Sequence, residues 1–145
     1  MRVSICYVAA SLGQRAASAS GALAKAAQSD ENERVRSSAL HALGQMGPAA
    51  YRHRAILRSA MRDPAPHTRL RAVLALRIVL DEIYLSPAIS LIDHEDPSVR
   101  LLAVRAIAGA GGRGVDAAKA LEGRLDDPQA DIAEFAAKTL SKLPS

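Results

Sequence analysis

Aromatic residues are nearly absent from this chain, which has one phenylalanine, three tyrosines and no tryptophan among its 145 residues. The core must therefore be built from alanine, leucine, isoleucine and valine, which suits close helix packing better than a sheet. Strand patterns are absent as well. The single cysteine, Cys6, excludes an internal disulfide and fits a reducing compartment. We expect an all-α, cytoplasmic protein.

The sequence also lacks the motifs of common active sites. No serine stands in a Gly-x-Ser-x-Gly elbow, and the glycines between residues 109 and 114 are not followed by the Lys-Ser/Thr of a phosphate loop. One His-Glu dyad, at residues 94 and 95, cannot assemble a two-metal site. We therefore expect no catalysis, no metal and no cofactor. The other histidines are interpreted as solvated or helix-end residues: His41, His53 and His67.

Charge is distributed unevenly along the chain, although its net charge is only +4. Residues 34–77 contain nine arginines and a single acid, Asp63, whereas residues 78–145 contain eleven acids and seven bases. Residues 1–33 have as many bases as acids. A basic middle and an acidic end could steer an acidic partner or keep the protein soluble.

One motif occurs four times. Its best copy begins at Val99 and has arginine next, small residues at +4 and +7, and isoleucine at +8. These positions lie on one stripe of a helix with 3.6 residues per turn. The other copies begin at positions 35, 68 and 132, so the interval between successive starts is nearly constant. An interval of this size predicts an array of helical repeats.

Capping signals divide each repeat into an inner helix, which carries the motif, and an outer helix. Asp96-Pro97 and Asp127-Pro128 each combine an N-cap carboxylate with a proline at the first helical position. Short connections make neighbouring helices antiparallel. Inner helices are predicted near residues 3–12, 32–46, 67–81, 97–110 and 128–143. Outer helices are predicted near residues 14–28, 48–62, 86–92 and 115–125.

Residues 1–28 allow two interpretations and are treated separately from the repeat array of residues 29–145. In the first they form half a repeat or capping helices, because S-L-G-Q at residues 11–14 parallels A-L-G-Q at residues 42–45. In the second they are a targeting segment, with a cleavage-like triplet at residues 17–19, and the protein is organellar or exported. No apolar run reaches the ~18 residues of a membrane span.

Over residues 30–143 the motif resembles the HEAT-like repeats, in the short-repeat subtype that also occurs in phycobilisome lyases. The segment D-P-S-V-R at residues 96–100 carries the resemblance most closely. It implies a right-handed α-solenoid of about four and a half repeats and about nine helices. It also implies a ladder in which aspartates before the inner helices pair with arginines at their starts. By resemblance, Asp30, Asp63 and Asp93 or Asp96 would pair with Arg36, Arg69 and Arg100.

Enzymes built on related repeats have features that this chain lacks. A bilin lyase would need an aromatic cluster for a planar pigment, and a di-iron hydroxylase would need several His-Glu dyads. DNA glycosylases of this type use basic surfaces, but residues that could stack on bases are nearly absent here. The resemblance therefore favours a scaffold without catalysis.

The first candidate surface is the side of the inner helices opposite the buried stripe, since this side lines the concave face of a solenoid. Leucines there would anchor an amphipathic or acidic peptide, and basic residues at the rim would steer it. In the alternative, these leucines pack between neighbouring inner helices. The candidate residues are His41, Leu70, Leu74, Arg77, Leu101, Arg105 and Lys138.

The second candidate surface is the outer helix predicted near residues 48–62. Arg54, Arg58 and Arg62 follow at intervals of four, with Tyr51 one turn earlier, and would form a basic ridge on the convex face. Such a ridge could bind nucleic acid or phosphate, and a solvated face is the alternative.

The functional prediction is a non-catalytic scaffold or adaptor that binds a partner protein or peptide through its concave face. Nucleic-acid or phosphate binding by the arginine-rich middle is the first alternative. An accessory subunit of a larger complex is the second. The unfinished N-terminal end would suit docking or self-association.

Overall fold

The computed structural model describes residues 1–111 and 114–143, and the regular elements within them are all helical, as predicted. The predicted glycine-rich turn of residues 111–114 includes two residues outside this described part. The α-helices are α1 Arg2–Leu12, α2 Ser20–Ser29, α3 Glu33–Gln45, α4 Arg54–Ala60, α5 Pro66–Leu80, α6 Ser86–Ser90, α7 Pro97–Gly109, α8 Val115–Glu122 and α9 Ala130–Leu140. Two 3₁₀ segments, Gly13–Ala19 and Gly47–His53, precede α2 and α4.

The chain forms two compact units, Met1–Ile83 and Tyr84–Ser145. In the first unit α3 contacts α1, α2 and α5, and α4 packs on α5. In the second unit α7 contacts α6 and α9, and α8 packs on α9. The inner helices that carry the motif are α3, α5, α7 and α9, and we call them the motif helices. Each motif helix packs against the helix before it, which we call its companion helix. The expected boundary between residues 28 and 29 falls inside the first unit.

The repeat stripe forms the core, as its spacing predicts. In α3, Val35, Ala39 and Leu43 are buried, and the corresponding side chains at the start and middle of α5, α7 and α9 are buried too. Small residues on this stripe allow the helices to approach closely. At Gly44 an added Cβ would lie 3.2 Å from both the Cα and the Cβ of Ala75, so α3 and α5 are in contact there almost backbone to backbone.

Helix starts follow the capping signals at two of the motif helices. The side chain of Asn32 accepts the Arg34 N–H at 2.9 Å, and that of Asp96 accepts the Ser98 N–H at 2.8 Å. The start predicted at Asp127-Pro128 is wrong by two residues, because α9 begins at Ala130. The Asp127 carboxylate is held by an arginine, as described below.

Two outer helices that were predicted as continuous are divided in the structure. The stretches 14–28 and 48–62 each begin as a 3₁₀ segment and become α-helical only at Ser20 and Arg54. Each segment starts at a glycine with positive φ, +52° at Gly13 and +58° at Gly47. These glycines turn the chain sharply after α1 and α3, and the tighter 3₁₀ form carries it into the next helix.

We expect Gly44→Val to lower the free energy of unfolding by about 1–3 kcal/mol, because the added side chain must displace Ala75 across a close helix contact. Urea denaturation followed by circular dichroism measures the change. Gly21→Ala is the control, since Gly21 is an exposed residue of α2 with no neighbouring atom within 4 Å of an added Cβ. This control should stabilise the protein by up to about 1 kcal/mol. Equal effects of the two substitutions would contradict close packing at Gly44.

Candidate protein-binding surfaces

Arginines at the starts of motif helices clamp the chain together within each unit. In the first unit Arg36 forms a two-point ion pair with Asp63, with N–O distances of 2.8 and 3.0 Å. Its third nitrogen donates to the backbone carbonyls of Asp30 and Glu31 at 2.9 and 3.1 Å. One side chain thus holds the loop before its own helix and the loop before the next motif helix.

The second unit repeats this arrangement with Arg100. Its guanidinium pairs with both oxygens of Asp127, at 2.8 and 2.9 Å, and donates to the carbonyls of His94 and Glu95. Both partners are about nine-tenths buried, with exposed fractions of 9% and 8%. Hydrogen bonds from Arg100 lower the pKa of Asp127, against the opposing effect of burial.

The carboxylates in these pairs differ from those that the resemblance implied. Arg36 meets Asp30 only through its carbonyl oxygen, and the Asp30 carboxylate instead pairs with Arg2 at 2.9 Å. The Asp63 carboxylate is held by Arg36, while Arg69 donates to the Asp63 and Pro64 carbonyls at 2.8 and 3.0 Å. Burial raises the pKa of Asp63, but hydrogen bonds from Arg36 and the Ala65 N–H bring it below its ordinary value.

Asp127 was not predicted as a ladder partner of Arg100, for which Asp93 or Asp96 was expected. Asp93 pairs with Arg124 at 3.0 Å, and Asp96 caps α7 through the Ser98 N–H. A signal in the sequence could have revealed the true partner. The separation from arginine to aspartate is the same in both clamps, from 36 to 63 and from 100 to 127, so the pairing joins one repeat to the next.

The first-unit members of the predicted concave surface do not form one exposed strip. Leu70 is fully buried, which corrects its assignment as a partner contact: α5 packs against α3 and also against α4 with its 3₁₀ segment. His41 and Leu74 do line a common cleft between α3 and α5, of about 110 Å³. Arg77 pairs with Asp81 at 2.7 Å.

The interpretation of the histidines as solvated or helix-end residues needs correction at His41, which lies inside α3, whereas His53 and His67 do lie at helix ends. His41 is half-buried, and its Nδ1 lies 3.3 Å from a guanidinium nitrogen of Arg71. Burial and the charge of Arg71 lower the pKa of His41. His53 precedes α4 with its Nε2 3.0 Å from the buried Ser20 hydroxyl oxygen, so it links two repeats of the first unit.

The second-unit members lie on α7 and α9, which contact each other. Arg105 is exposed, and its guanidinium carbon lies 6.0 Å from the ring centroid of Phe135. Lys138 and Phe135 line a cleft of about 320 Å³. Leu101 is half-buried on α7. We define the α7/α9 cleft by the residues around this volume that carry its apolar surface and charge: Ala108, Phe135, Lys138, Lys142 and Leu143.

The sequence analysis missed Phe135 because it considered only the residues directly opposite the buried stripe of each inner helix. Phe135 lies at position +3 of the last copy, and it is the only phenylalanine in the chain. Its single occurrence was a usable signal. Among the described residues, no carboxylate lies within ion-pair distance of Lys138 or Lys142.

The predicted arginine ridge is partly neutralised within the first unit. Arg58 forms a two-point ion pair with Glu82, and the guanidinium of Arg54 stacks 4.7 Å above the ring centroid of Tyr51. Tyr51 belongs to the 3₁₀ segment before α4, so the four residues do not share one continuous helix as predicted. Arg62 is exposed in the turn after α4.

In the described part of the chain, no group of three or more histidine, cysteine, aspartate or glutamate side chains is arranged to hold a metal ion. Residues 1–111 and 114–143 also include no helix that is long and apolar enough to cross a membrane.

Comparison with known proteins gives one family. Residues 20–88, which run from α2 to the first turn of α6, match the family model for HEAT repeats. No curated protein matches the chain.

The Arg100–Asp127 pair gives a pH-dependent prediction. Asp127→Asn should lower the free energy of unfolding at neutral pH by about 3 kcal/mol, because the buried Arg100 loses its counter-charge. The folded-state pKa of Asp127 is lowered, so its stabilisation is present above the unfolded value of about 4 and is lost as the pH falls through the folded value.

Chemical denaturation at several pH values between about 7 and 2 tests this prediction, with the exposed neighbour Asp126→Asn as the control. Wild type and the control should lose stability steeply below about pH 4, and Asp127→Asn should lose less over this range. Parallel pH profiles for wild type and Asp127→Asn would contradict the assigned ion pair.

Proposed function

Because the chain is a HEAT-like repeat protein, we propose that it is a non-catalytic protein-binding module that contacts its partner through the α7/α9 cleft. HEAT repeats commonly mediate protein–protein interaction, which agrees with a scaffold or adaptor role. Assignment to the short-repeat subtype stays a prediction that rests on the short and nearly constant interval between motif copies.

The observation that carries this proposal is the composition of the cleft. Its floor is apolar and includes the half-buried ring of Phe135, while Lys138 and Lys142 are exposed cations. Arg105 adds a third cation near the same ring. Arg105, Lys138 and Lys142 are exposed beside this apolar cleft, so they can meet an external anion.

This composition specifies the ligand as an acidic peptide segment with one large apolar side chain. Burying about 100 Å² of apolar surface against Phe135 would contribute roughly 2–3 kcal/mol. Carboxylates beside the anchor would meet the lysines, which adds specificity and speeds association more than it adds affinity. An accessory subunit of a larger complex would use the cleft in the same way.

The arginine-rich middle supports nucleic-acid or phosphate binding less well. Arg36 and Arg58 are engaged by carboxylates, and Arg54 lies over Tyr51. The phosphate contacts on which nucleic-acid affinity depends would have to break or share these pairs. This function is therefore the second proposal, and steep weakening by salt would distinguish it.

Selection from a random peptide-display library on the whole protein tests the proposed site. We expect enriched peptides to carry two or more acids beside a large apolar residue. Lys138→Glu should weaken their binding at least about tenfold, because repulsion replaces attraction at the rim. Arg34→Glu, the same charge change at an exposed residue of the first unit, should change it less than about twofold.

Two outcomes would overturn this proposal. One is enrichment of basic peptides or of peptides without an acid. The other is equal loss of binding in both variants, which would show that binding responds to the net charge of the protein and not to a charge at the cleft. Circular dichroism spectra identical to wild type are required of each variant, so that loss of binding is not loss of fold.

A further inference from the structure

Two histidines of the first unit accept hydrogen bonds from arginines where consecutive repeats meet. Arg52 donates its Nε–H to the Nε2 of His53 at 3.3 Å, and the same ring nitrogen lies 3.0 Å from the hydroxyl oxygen of Ser20 on α2. On the inner helices, the Nδ1 of His41 in α3 lies 3.3 Å from a guanidinium nitrogen of Arg71 in α5. Arginine has only donors, so the ring nitrogen that faces it is unprotonated in both contacts.

Ser20 closes the contact at His53 into a set of three hydrogen bonds. Arg52 also donates to the Ser20 hydroxyl oxygen, at 2.8 Å, so it holds the ring and the hydroxyl together. Ser20 is fully buried at the start of α2, where water cannot replace a lost partner. The three residues therefore join α2 to the 3₁₀ segment Gly47–His53, which belongs to the next repeat.

The elements packed around these histidines offer almost no negative charge. Within the first unit, α3 packs against α1, α2, α5 and both 3₁₀ segments, and the segment that contains His53 packs against α2, α3, α4, α5 and the other 3₁₀ segment. Their only acid is Glu33, which lies eight residues before His41 and so about 12 Å away along α3. Besides Arg52 and Arg71, their other charged or imidazole side chains are Arg2, Arg15, Lys25, Arg34, Arg36, Arg54, Arg58, His67, Arg69 and Arg77.

The charge of the first unit as a whole has the same sign. Residues 1–83 contain twelve lysines and arginines but only six acids. Four of these acids already form ion pairs with arginines: Asp30, Asp63, Asp81 and Glu82. A proton added to either histidine therefore sets a cation against an arginine in surroundings that are already positive.

The same contacts make the neutral histidines stabilising. Burial and the charge of Arg52 lower the pKa of His53, and burial and the charge of Arg71 lower the pKa of His41. A histidine with a lowered folded-state pKa stabilises the fold above the unfolded value of about 6.5. This stabilisation is lost as the pH falls through the folded value.

We propose that the first unit is an acid-sensitive part of the protein, in which protonation of His41 and His53 loosens the contacts between consecutive repeats. At His53 the proton displaces Arg52 and disrupts the hydrogen bonds around Ser20, which weakens the packing of α2 on the segment Gly47–His53. At His41 it displaces Arg71 and weakens the packing of α3 on α5. This inference does not rest on the α7/α9 cleft or on any partner.

Urea denaturation of the full chain, followed by circular dichroism from about pH 7.5 to about pH 5.5, tests the proposal. The variant is the double substitution His41→Gln and His53→Gln, because glutamine keeps an acceptor oxygen but takes up no proton. Over this range, the unfolding equilibrium constant of wild type should rise at least about fivefold more than that of the variant. Both proteins have the same carboxylates, so their titration cancels in the comparison.

Two arginine variants provide a matched pair of controls at His53. Arg52→Gln removes the cation that opposes protonation, so the acid-induced rise in the unfolding equilibrium constant should be at least about twofold smaller than in wild type. Arg54→Gln makes the same charge change on the other side of His53, at an arginine that lies over Tyr51. It should leave the acid-induced rise as in wild type.

Hydrogen exchange followed by mass spectrometry locates the loosening. After correction for the intrinsic pH dependence of exchange, residues 20–29 and 47–53 of wild type should lose protection on acidification. This loss should be at least about threefold larger than in the double variant. Loosening of these residues by the same factor in both proteins would assign the effect to other groups.

Parallel pH profiles of unfolding for wild type and the folded double variant would overturn the proposal. Equal effects of Arg52→Gln and Arg54→Gln would also overturn it, because the protein would then respond to net charge and not to the contact at His53. If the double variant does not fold by circular dichroism, the comparison of these two arginine variants decides the outcome alone.

Discussion

The buried arginine–aspartate clamp is the interaction on which the arrangement of each unit depends. Arg36 and Arg100 each carry a charge that is costly to bury unless all three guanidinium nitrogens find oxygen acceptors. Each meets two carboxylate oxygens of the next repeat and two carbonyls of its own loop. Both loops are fixed by one planar group, so the clamp sets the register of adjacent motif helices.

The fold could be predicted because its determinants are local and periodic. A buried stripe recurs at a nearly constant interval, and glycine or a capped proline marks most of the boundaries. The errors arose where one residue type serves two purposes. Asp96 and Asp127 are both followed by proline and both accept the N–H two residues on, but Asp127 also holds Arg100, and α9 begins only at Ala130. Spacing within a helix cannot distinguish these roles, although the separation that both clamps share can.

The candidate surfaces were less predictable because long-range contacts decide which side chains remain available. Leu70 fits an open position on its own helix, yet the helices packed around α5 cover it. The spacing of Arg58 predicts a place in a basic ridge, but Glu82, in the segment after α5, pairs with it and neutralises its charge. Lys138 lies on α9 beside the cleft, but its neighbour Phe135 was not predicted, because the prediction considered only residues directly opposite the buried stripe.

The proposed binding surface is built from side chains that the repeat packing leaves unused. A clamp engages all three nitrogens of its arginine, so the guanidinium has little left to offer a ligand. Lys142 is exposed and pairs with no carboxylate of the described residues, so within that part of the chain it remains available to a ligand. The same reasoning applies to apolar groups: Leu43 is covered by the packing of its repeat, whereas its counterpart Leu12 is exposed. Binding surfaces in a repeat protein of this kind should be sought where the repeat pattern is followed but its usual contact is not made.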